Sequence, residues 1–469
     1  MSYLRTIQTH FDRLVMVGAA TFGKTPNGMW PSKLDCGTGQ YPATEPDTPA
    51  RTYRNIDAPG GSSLYWDLPS LVAAHNVSRS VGRLQWALAA DACVRAFLDR
   101  CISRSGLWLW GNHYYWSAEH DCVMQFHGRE EPEPIDPDQT DGELFEMRPV
   151  RVPWELLWRH DEKAVERCIR AMGERHVFDA DRGGFNRHAD GKRDHAFLES
   201  GGILVESLAW LYAQLAPART DESLAELAVR IGRFSFQHRG QQSGLVENNP
   251  TSQRWDKHVC TSEVGLWGGC LLHAATLTGR RELEEMAAEA VEAYLRHAFD
   301  SETEQYWGMV RVVDGLPQRE RTTEYQPGEY ADPWNGTFPT HDYPLSLAET
   351  CLELYRRTGK ASFGLAVQRW VRVLASRPPS SAIDPVYAES YGRAIHFLLG
   401  AAEVLENDQP QRMAEELARQ AVAKLVHRGL FRGSDRKDHY AAVDGVGYLL
   451  LALLRLETGR NVTYLGMRF

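Results

Sequence analysis

Four stretches of this 469-residue sequence gather side chains that can move protons or hold charge. Trp108 to Trp116 reads Trp-Leu-Trp-Gly-Asn-His-Tyr-Tyr-Trp and offers Asn112, His113 and Trp116. Gly183-Gly184-Phe185-Asn186-Arg187-His188 puts an amide, a guanidinium and an imidazole behind two glycines, the composition of a binding loop. Glu247-Asn248-Asn249-Pro250 leads through Lys257 and His258 to Glu263. The fourth stretch begins Arg319-Glu320-Arg321-Thr322-Thr323-Glu324-Tyr325 and continues to Tyr330, Trp334, Asn335 and His341-Asp342-Tyr343. Arginines grip carboxylates through two parallel hydrogen bonds. A cation beside a tyrosine also lowers its pKa and makes the phenolate accessible.

Those residue types suit β-elimination from a uronic-acid polymer. The C5 proton lies next to a carboxylate and is weakly acidic until that charge is neutralised, so donors must point at the carboxylate. A base must take the proton, and an acid must protonate the leaving O4. One tyrosine can do both when the two groups share a face of the sugar ring. Trp116, Tyr330 and Trp334 are candidate platforms for flanking sugars. For His113 a satisfied structural histidine is the plainer alternative, and capping is the plainer one for Glu263.

The elements that would position these loops are helical. From about residue 196 onward, apolar and small residues recur at three-to-four spacing. Helices are expected at 221–238, 263–277, 281–298, 343–357, 361–375, 390–405, 410–426 and 441–457. Thr278-Gly279, Thr358-Gly359 and Thr458-Gly459 close three of them with a left-handed glycine cap. Starts such as Glu199-Ser-Gly-Gly, Glu263-Val-Gly, Glu389-Ser-Tyr-Gly and Asp444-Gly-Val-Gly look alike; glycine there would let neighbouring helices approach. A helix pair every 40–60 residues is a repeat architecture. Nearer the N-terminus, helices are expected at 2–17, 67–77, 80–103 and 153–174, with a short hairpin within 107–127. The expected fold is all-α: an (α/α) toroid of six to seven helical hairpins, with short β-hairpins in the cleft loops. No linker divides it, so residues 1–469 form a single domain.

Composition narrows the function. A net charge of −10 argues against general nucleic-acid binding. No run of 18 apolar residues predicts a membrane span. The start, Met1 to Leu14, lacks the apolar core of a signal peptide, so the sequence as it stands reads as cytoplasmic; a removed leader would make it periplasmic or secreted. Eight scattered cysteines without a C-x-x-C pair read as reduced thiols. No nucleotide or metal motif is present, so neither a cofactor nor a metal site is expected. Of the 14 tryptophans and 18 tyrosines, many fall in the inter-helix loops, which favours a sugar cleft.

The segments WLWGNHYYW (108–116), GGFNRH (183–188), FLESGG (197–202) and WDKHVCTSEVGLW (255–267) resemble the helical-toroid polysaccharide lyases acting on glucuronan and alginate. That resemblance implies a metal-independent lyase. It gives Tyr325 the acid/base role and makes Arg319 and Glu263 carboxylate neutralisers, with Arg321 an equally placed rival of Arg319. His258 and His341 are candidate partners, and Asn249 a further neutraliser. Asn112, His113, Trp116, Arg187, His188, Tyr330 and Trp334 would line the substrate path. The partner is then an anionic polysaccharide, with no nucleic acid and no membrane. Two other readings remain open. An inverting glycoside hydrolase of uronic-acid glycans, such as an unsaturated glucuronyl hydrolase, would use two of Glu199, Glu263, Asp342 and Asp444. A non-catalytic carbohydrate-binding protein would need none of these acids.

Overall fold

The computed structural model describes residues 2–21, 28–42, 58, 60–126, 131–147, 150–215, 219, 221–252, 257–320, 329–334, 344–380 and 385–460. Among these residues the chain forms fourteen α-helices. They are α1 (Tyr3–Thr21), α2 (Leu64–Val81), α3 (Gln85–Leu98), α4 (Trp154–Trp158), α5 (Glu162–His176), α6 (Leu198–Gln214) and α7 (Glu222–Gln237). The remainder are α8 (Thr261–Thr278), α9 (Arg281–Ala298), α10 (Leu345–Thr358), α11 (Ala361–Ser376), α12 (Ala388–Leu405), α13 (Asp408–Leu425) and α14 (Val446–Thr458).

Burial sorts the helices into two rings. Every residue of α6 from Leu198 to Leu211 is buried, as is every residue of α12 from Ala388 to Ala401. A helix hidden on all sides belongs to an interior layer. By contrast α5, α7, α9 and α13 bury one apolar stripe and expose a charged face. Successive inner helices pack side by side, α6 on α8, α8 on α10, α10 on α12, α12 on α14, and α14 back on α2. The outer helices pair with them, and α1 lies against α14. The expected (α/α) toroid is present, with seven hairpins once the short α4 is paired with α5.

Glycines set the spacing of the inner ring. A Cβ on Gly202 of α6 would lie 2.9 Å from the Trp267 Cα of α8. On Gly265 of α8 it would lie 2.3 Å from the Leu347 nitrogen of α10, and on Gly392 of α12 2.5 Å from the Leu449 nitrogen of α14. On Gly447 of α14 it would lie 2.3 Å from the Ser70 nitrogen of α2. Backbone meets backbone at each junction, as the glycine-bearing helix starts suggest. The three Thr-Gly caps also form, with φ of 69° at Gly279, 64° at Gly359 and 65° at Gly459.

Where the structure departs from expectation, local capping explains it. The single helix expected over 153–174 breaks into α4 and α5, because the Asp161 carboxylate accepts from the Ala164 N–H at 2.9 Å and starts a new helix. The gap left in the inner ring by the five-residue α4 is filled by aromatics. Trp108, Trp110 and Trp154 pack against one another, joined by Tyr65, Phe97 and Trp210. The helix expected at 441–457 starts late, since Gly445 takes φ 73° immediately before α14.

All inner helices begin at one end of the ring, and the strands lie in the loops entering them. The expected hairpin is β3 (Tyr114–Ser117) with β4 (Cys122–Gln125), widened by β2 (Gly61–Ser62) and β5 (Glu133–Ile135) to a four-stranded sheet. The first strand, β1 (Lys33–Asp35), pairs antiparallel with the last, β14 (His439–Ala441), placing Lys33 opposite Ala441. This sheet ties the two ends of the described chain together where α14 meets α2.

Two stability outcomes follow from this packing. Gly447→Ala is expected to cost at least about 3 kcal/mol, because a rigid backbone must move rather than a side-chain tip; urea denaturation reads it. His10 of α1 is fully buried among Phe11, Phe431 and Tyr440, and its Nδ1 accepts from the Phe431 N–H at 3.2 Å. Burial lowers its pKa from 6.5 to about 3. Below pH 6.5 the unfolded chain therefore binds a proton that the folded chain refuses. Stability should fall between pH 6.5 and about 3, by up to about 1.4 kcal/mol per pH unit from this residue. In His10→Gln that component of the slope should vanish from denaturation curves recorded across the range.

Candidate functional site

The mouth of the ring, where the inner helices start, holds a cluster of titratable side chains contributed by three separate loops. His113 precedes β3, Glu146 lies in the segment leading to α4, and His188 follows β7 (Gly184–Phe185). One ligand-type atom of each lies within 4.8 Å of the others. Glu146 Oε2 stands 3.2 Å from His113 Nε2 and 3.5 Å from His188 Nε2. The imidazoles meet edge to face, their centroids 5.1 Å apart. His113 Nδ1 is 3.1 Å from the Phe126 carbonyl. A carbonyl only accepts, so Nδ1 carries the proton and donates it, and Nε2 is turned toward Glu146.

Local backbone features bring these loops together. Gly111 takes φ 86°, and a Cβ there would lie 2.6 Å from the Glu146 carbonyl oxygen, so only glycine lets the two loops touch. His188 lies in the loop after β7, whose Phe185 side chain packs into the core. Burial lowers the His188 pKa, opposed by Glu146 and helped by Arg187 and His113.

The floor beneath the mouth is charged and buried. Glu206 lies eight residues into α6, about 12 Å down the bore. Its carboxylate takes a two-pronged grip from Arg151, with Nε at 2.7 Å, and meets His273 Nδ1 of α8. Burial opposes ionisation of Glu206, yet Arg151 and His273 prevail and hold its pKa down to about 2. Arg393 of α12 likewise grips Glu349 of α10 and reaches Glu389 at 3.3 Å. Tyr448 packs under its guanidinium. These groups join neighbouring inner helices.

The residues singled out from sequence fall in different settings. His113, His188, Arg187 and Asn112 lie in the loops that meet at the mouth, and Arg187 also stacks over Phe197. Asn249 is fully buried; its Oδ1 accepts from the Ala196 N–H at 3.0 Å and its Nδ2 meets His195 Nδ1, so it fastens one loop to the next. Glu263 caps α8, accepting from the Cys260 N–H at 2.8 Å. His258 is half-buried in β8 (His258–Cys260), opposite Arg311 of β11 (Met309–Arg311). Arg319 is exposed, its guanidinium 5.4 Å from the Trp307 ring, and Tyr330 stacks on the same indole at 4.0 Å. Trp116 and Trp334 are buried, 6% and 4% exposed, and belong to the core. Tyr325, Arg321 and His341 lie outside the described residues.

Two residues were not foreseen. Trp307 forms the aromatic centre under Arg319 and Tyr330. Glu146 is the acid that His113 and His188 share; the signal in the sequence is a glutamate between Phe145 and Met147, both buried. An ionisable group flanked by core residues needs a partner.

No protein-family model matches the chain, and no curated protein matches it by sequence. Solved structures do match in fold. A family 76 glycoside hydrolase (mannosidase) of Bacteroides thetaiotaomicron is 11% identical, with a TM-score of 0.50, covering 97% of this chain and 98% of that one. An unsaturated glucuronyl hydrolase of Bacillus sp. GL1 is 16% identical, with a TM-score of 0.47, over 84% of this chain and 97% of that one. A family 76 α-mannanase of Bacteroides thetaiotaomicron gives 10% identity and a TM-score of 0.49. The first of these similarities agrees with the helical-toroid fold seen in the helix packing. The proteins named are hydrolases, not the lyases that the segments at 108–116, 183–188, 197–202 and 255–267 resemble. No described helix is long and apolar enough to cross a membrane.

The floor pairs give a stability prediction of their own. Glu349→Ala removes the two-pronged carboxylate partner of the buried Arg393, and should lower the unfolding free energy by about 3–5 kcal/mol in chemical denaturation.

Proposed function

We propose that this protein is a glycan-cleaving enzyme acting on a uronic-acid-containing chain at the mouth of the toroid, by hydrolysis. One observation carries the proposal: Glu199, Glu263 and Asp444 stand at the starts of the inner helices α6, α8 and α14. Glu199 is 5% exposed, in the first turn of α6, and close enough to Tyr65 to act on its phenol, as Glu146 does. Glu263 is committed to capping α8. Asp342 lies outside the described residues, and among the others we assign Glu199 and Asp444 to proton transfer, one to the leaving oxygen and one to the attacking water. Arg187 and Arg319 supply positive charge for a sugar carboxylate. A fold shared with a glycoside hydrolase supports this by analogy only.

Elimination is the second reading, favoured by the exposed Arg319 lying over Trp307 beside stacked Tyr330. Tyr325 is its proton acceptor, with Arg321, His258 and His341 as partners.

Incubating the protein with glucuronan, alginate, pectate, glycosaminoglycan and mannan separates the readings. Hydrolysis should release reducing ends without the ultraviolet absorbance of an unsaturated product, whereas elimination gives both signals. Glu199→Gln should reduce hydrolysis by about two to four orders of magnitude and Tyr325→Phe should leave it intact. The reverse pattern would select elimination. No new reducing ends from any substrate would remove glycan cleavage altogether.

A further inference from the structure

We propose that His113, Glu146 and His188 bind a divalent first-row transition-metal ion at the mouth of the toroid. Nothing in the sequence spacing announces this site, and it stands whether or not the mouth cleaves glycans.

The distances carry the inference. Ligands about 2.0–2.1 Å from a tetrahedral ion are separated from each other by about 3.3 Å. Glu146 Oε2 lies 3.2 Å from His113 Nε2 and 3.5 Å from His188 Nε2, near that edge length. The third edge, between the histidines, lies within the 4.8 Å that bounds the set. A small inward movement of the side chains closes the triangle around one ion.

The hydrogen-bonding pattern points the same way. His113 Nδ1 is held by the Phe126 carbonyl, which leaves Nε2 as the ring nitrogen turned to Glu146 Oε2 and free to ligate an ion. Metal-bound histidines are commonly oriented through the other ring nitrogen in this way, which fixes tautomer and ring plane. His188 meets the same carboxylate oxygen. A protonated His113 paired with Glu146 is the metal-free alternative.

Ligand type and access narrow the ion. Two imidazoles and one carboxylate favour manganese through zinc over calcium or magnesium, which prefer all-oxygen sets. The side chains of His113 and His188 are 14% and 12% exposed and that of Glu146 is 2% exposed. An ion could enter from the mouth and retain open positions there for water or a substrate oxygen, as catalytic rather than structural sites do. The eight cysteines offer no competing cluster among the described residues; the trio is the group found there with ligand atoms in mutual reach.

The full-length protein, stripped with a chelator and dialysed, should be titrated with Zn²⁺ and Mn²⁺ by calorimetry. One equivalent of Zn²⁺ should bind with micromolar or tighter affinity and raise the melting temperature. His188→Ala and Glu146→Gln should each weaken binding at least a hundredfold while retaining the wild-type circular dichroism spectrum. Wild-type protein loaded with Co²⁺ should show visible bands of nitrogen and oxygen ligation without a thiolate charge-transfer band, a readout that does not depend on the variants folding. Absence of saturable binding, binding unaltered in folded variants, or a thiolate band would each overturn the assignment.

Discussion

The whole molecule depends on how closely its inner helices approach. Gly202, Gly265, Gly392 and Gly447 each put backbone against the backbone of the next helix, at separations where a Cβ would overlap. Contacts of this kind fix the interhelical distance more firmly than interdigitating side chains, which can change rotamer. The radius of the ring follows from that distance, and with it the circle on which the entering loops stand. Side chains as far apart in sequence as His113 and His188 meet because this circle is small.

The same closeness creates an electrostatic problem down the bore. The buried interior still contains Arg151, Glu206, His273, Glu349, Glu389 and Arg393. Each charge is met by a partner on another inner helix or the segment before α4, apart from the contact between Glu389 and Arg393 within α12. Apolar side chains of similar volume could stabilise the ring as well. What charged pairs add is discrimination: a helix rotated or slid by one turn would leave a buried charge alone. Glycine contacts fix the distance between helices, and the ion pairs fix their rotation and height.

Much of this architecture was legible because it is repetitive. Three-to-four apolar spacing, Thr-Gly caps and glycine-bearing helix starts recur along the chain, so errors in one repeat are corrected by others. The boundaries that were missed are singular. Asp161 breaks what reads as one helix, and Gly445 delays α14, through local hydrogen bonding and backbone conformation. The site was legible only in part. His113, Arg187 and His188 stand in loops whose composition draws attention, but their shared partner Glu146 lies in an unremarked stretch. Tryptophan-rich segments also mislead, since Trp108, Trp110 and Trp116 fill the space beside the short α4 or pack in the core nearby. No local pattern distinguishes an aromatic that fills a gap in a ring from one that faces a sugar.

The charge balance at the mouth connects the proposed metal site to the proposed acidic substrate. The chain carries a net −10, and the floor arginines are matched by Glu206, Glu349 and Glu389, so the bore offers an anionic sugar little attraction. Glu199 and Asp444 add negative charge around the rim when ionised. The trio itself contributes the Glu146 carboxylate. Among the described residues Arg187 opposes it at that cluster, while Arg319 stands apart on its indole. A divalent ion held by the trio would add two positive charges there, within a sheltered region where Coulomb forces are only partly screened. On this account an acidic protein can receive an acidic glycan because the attraction is concentrated at one bound ion. A surface bearing many cations is not required, and the composition of the chain contains no sign of one.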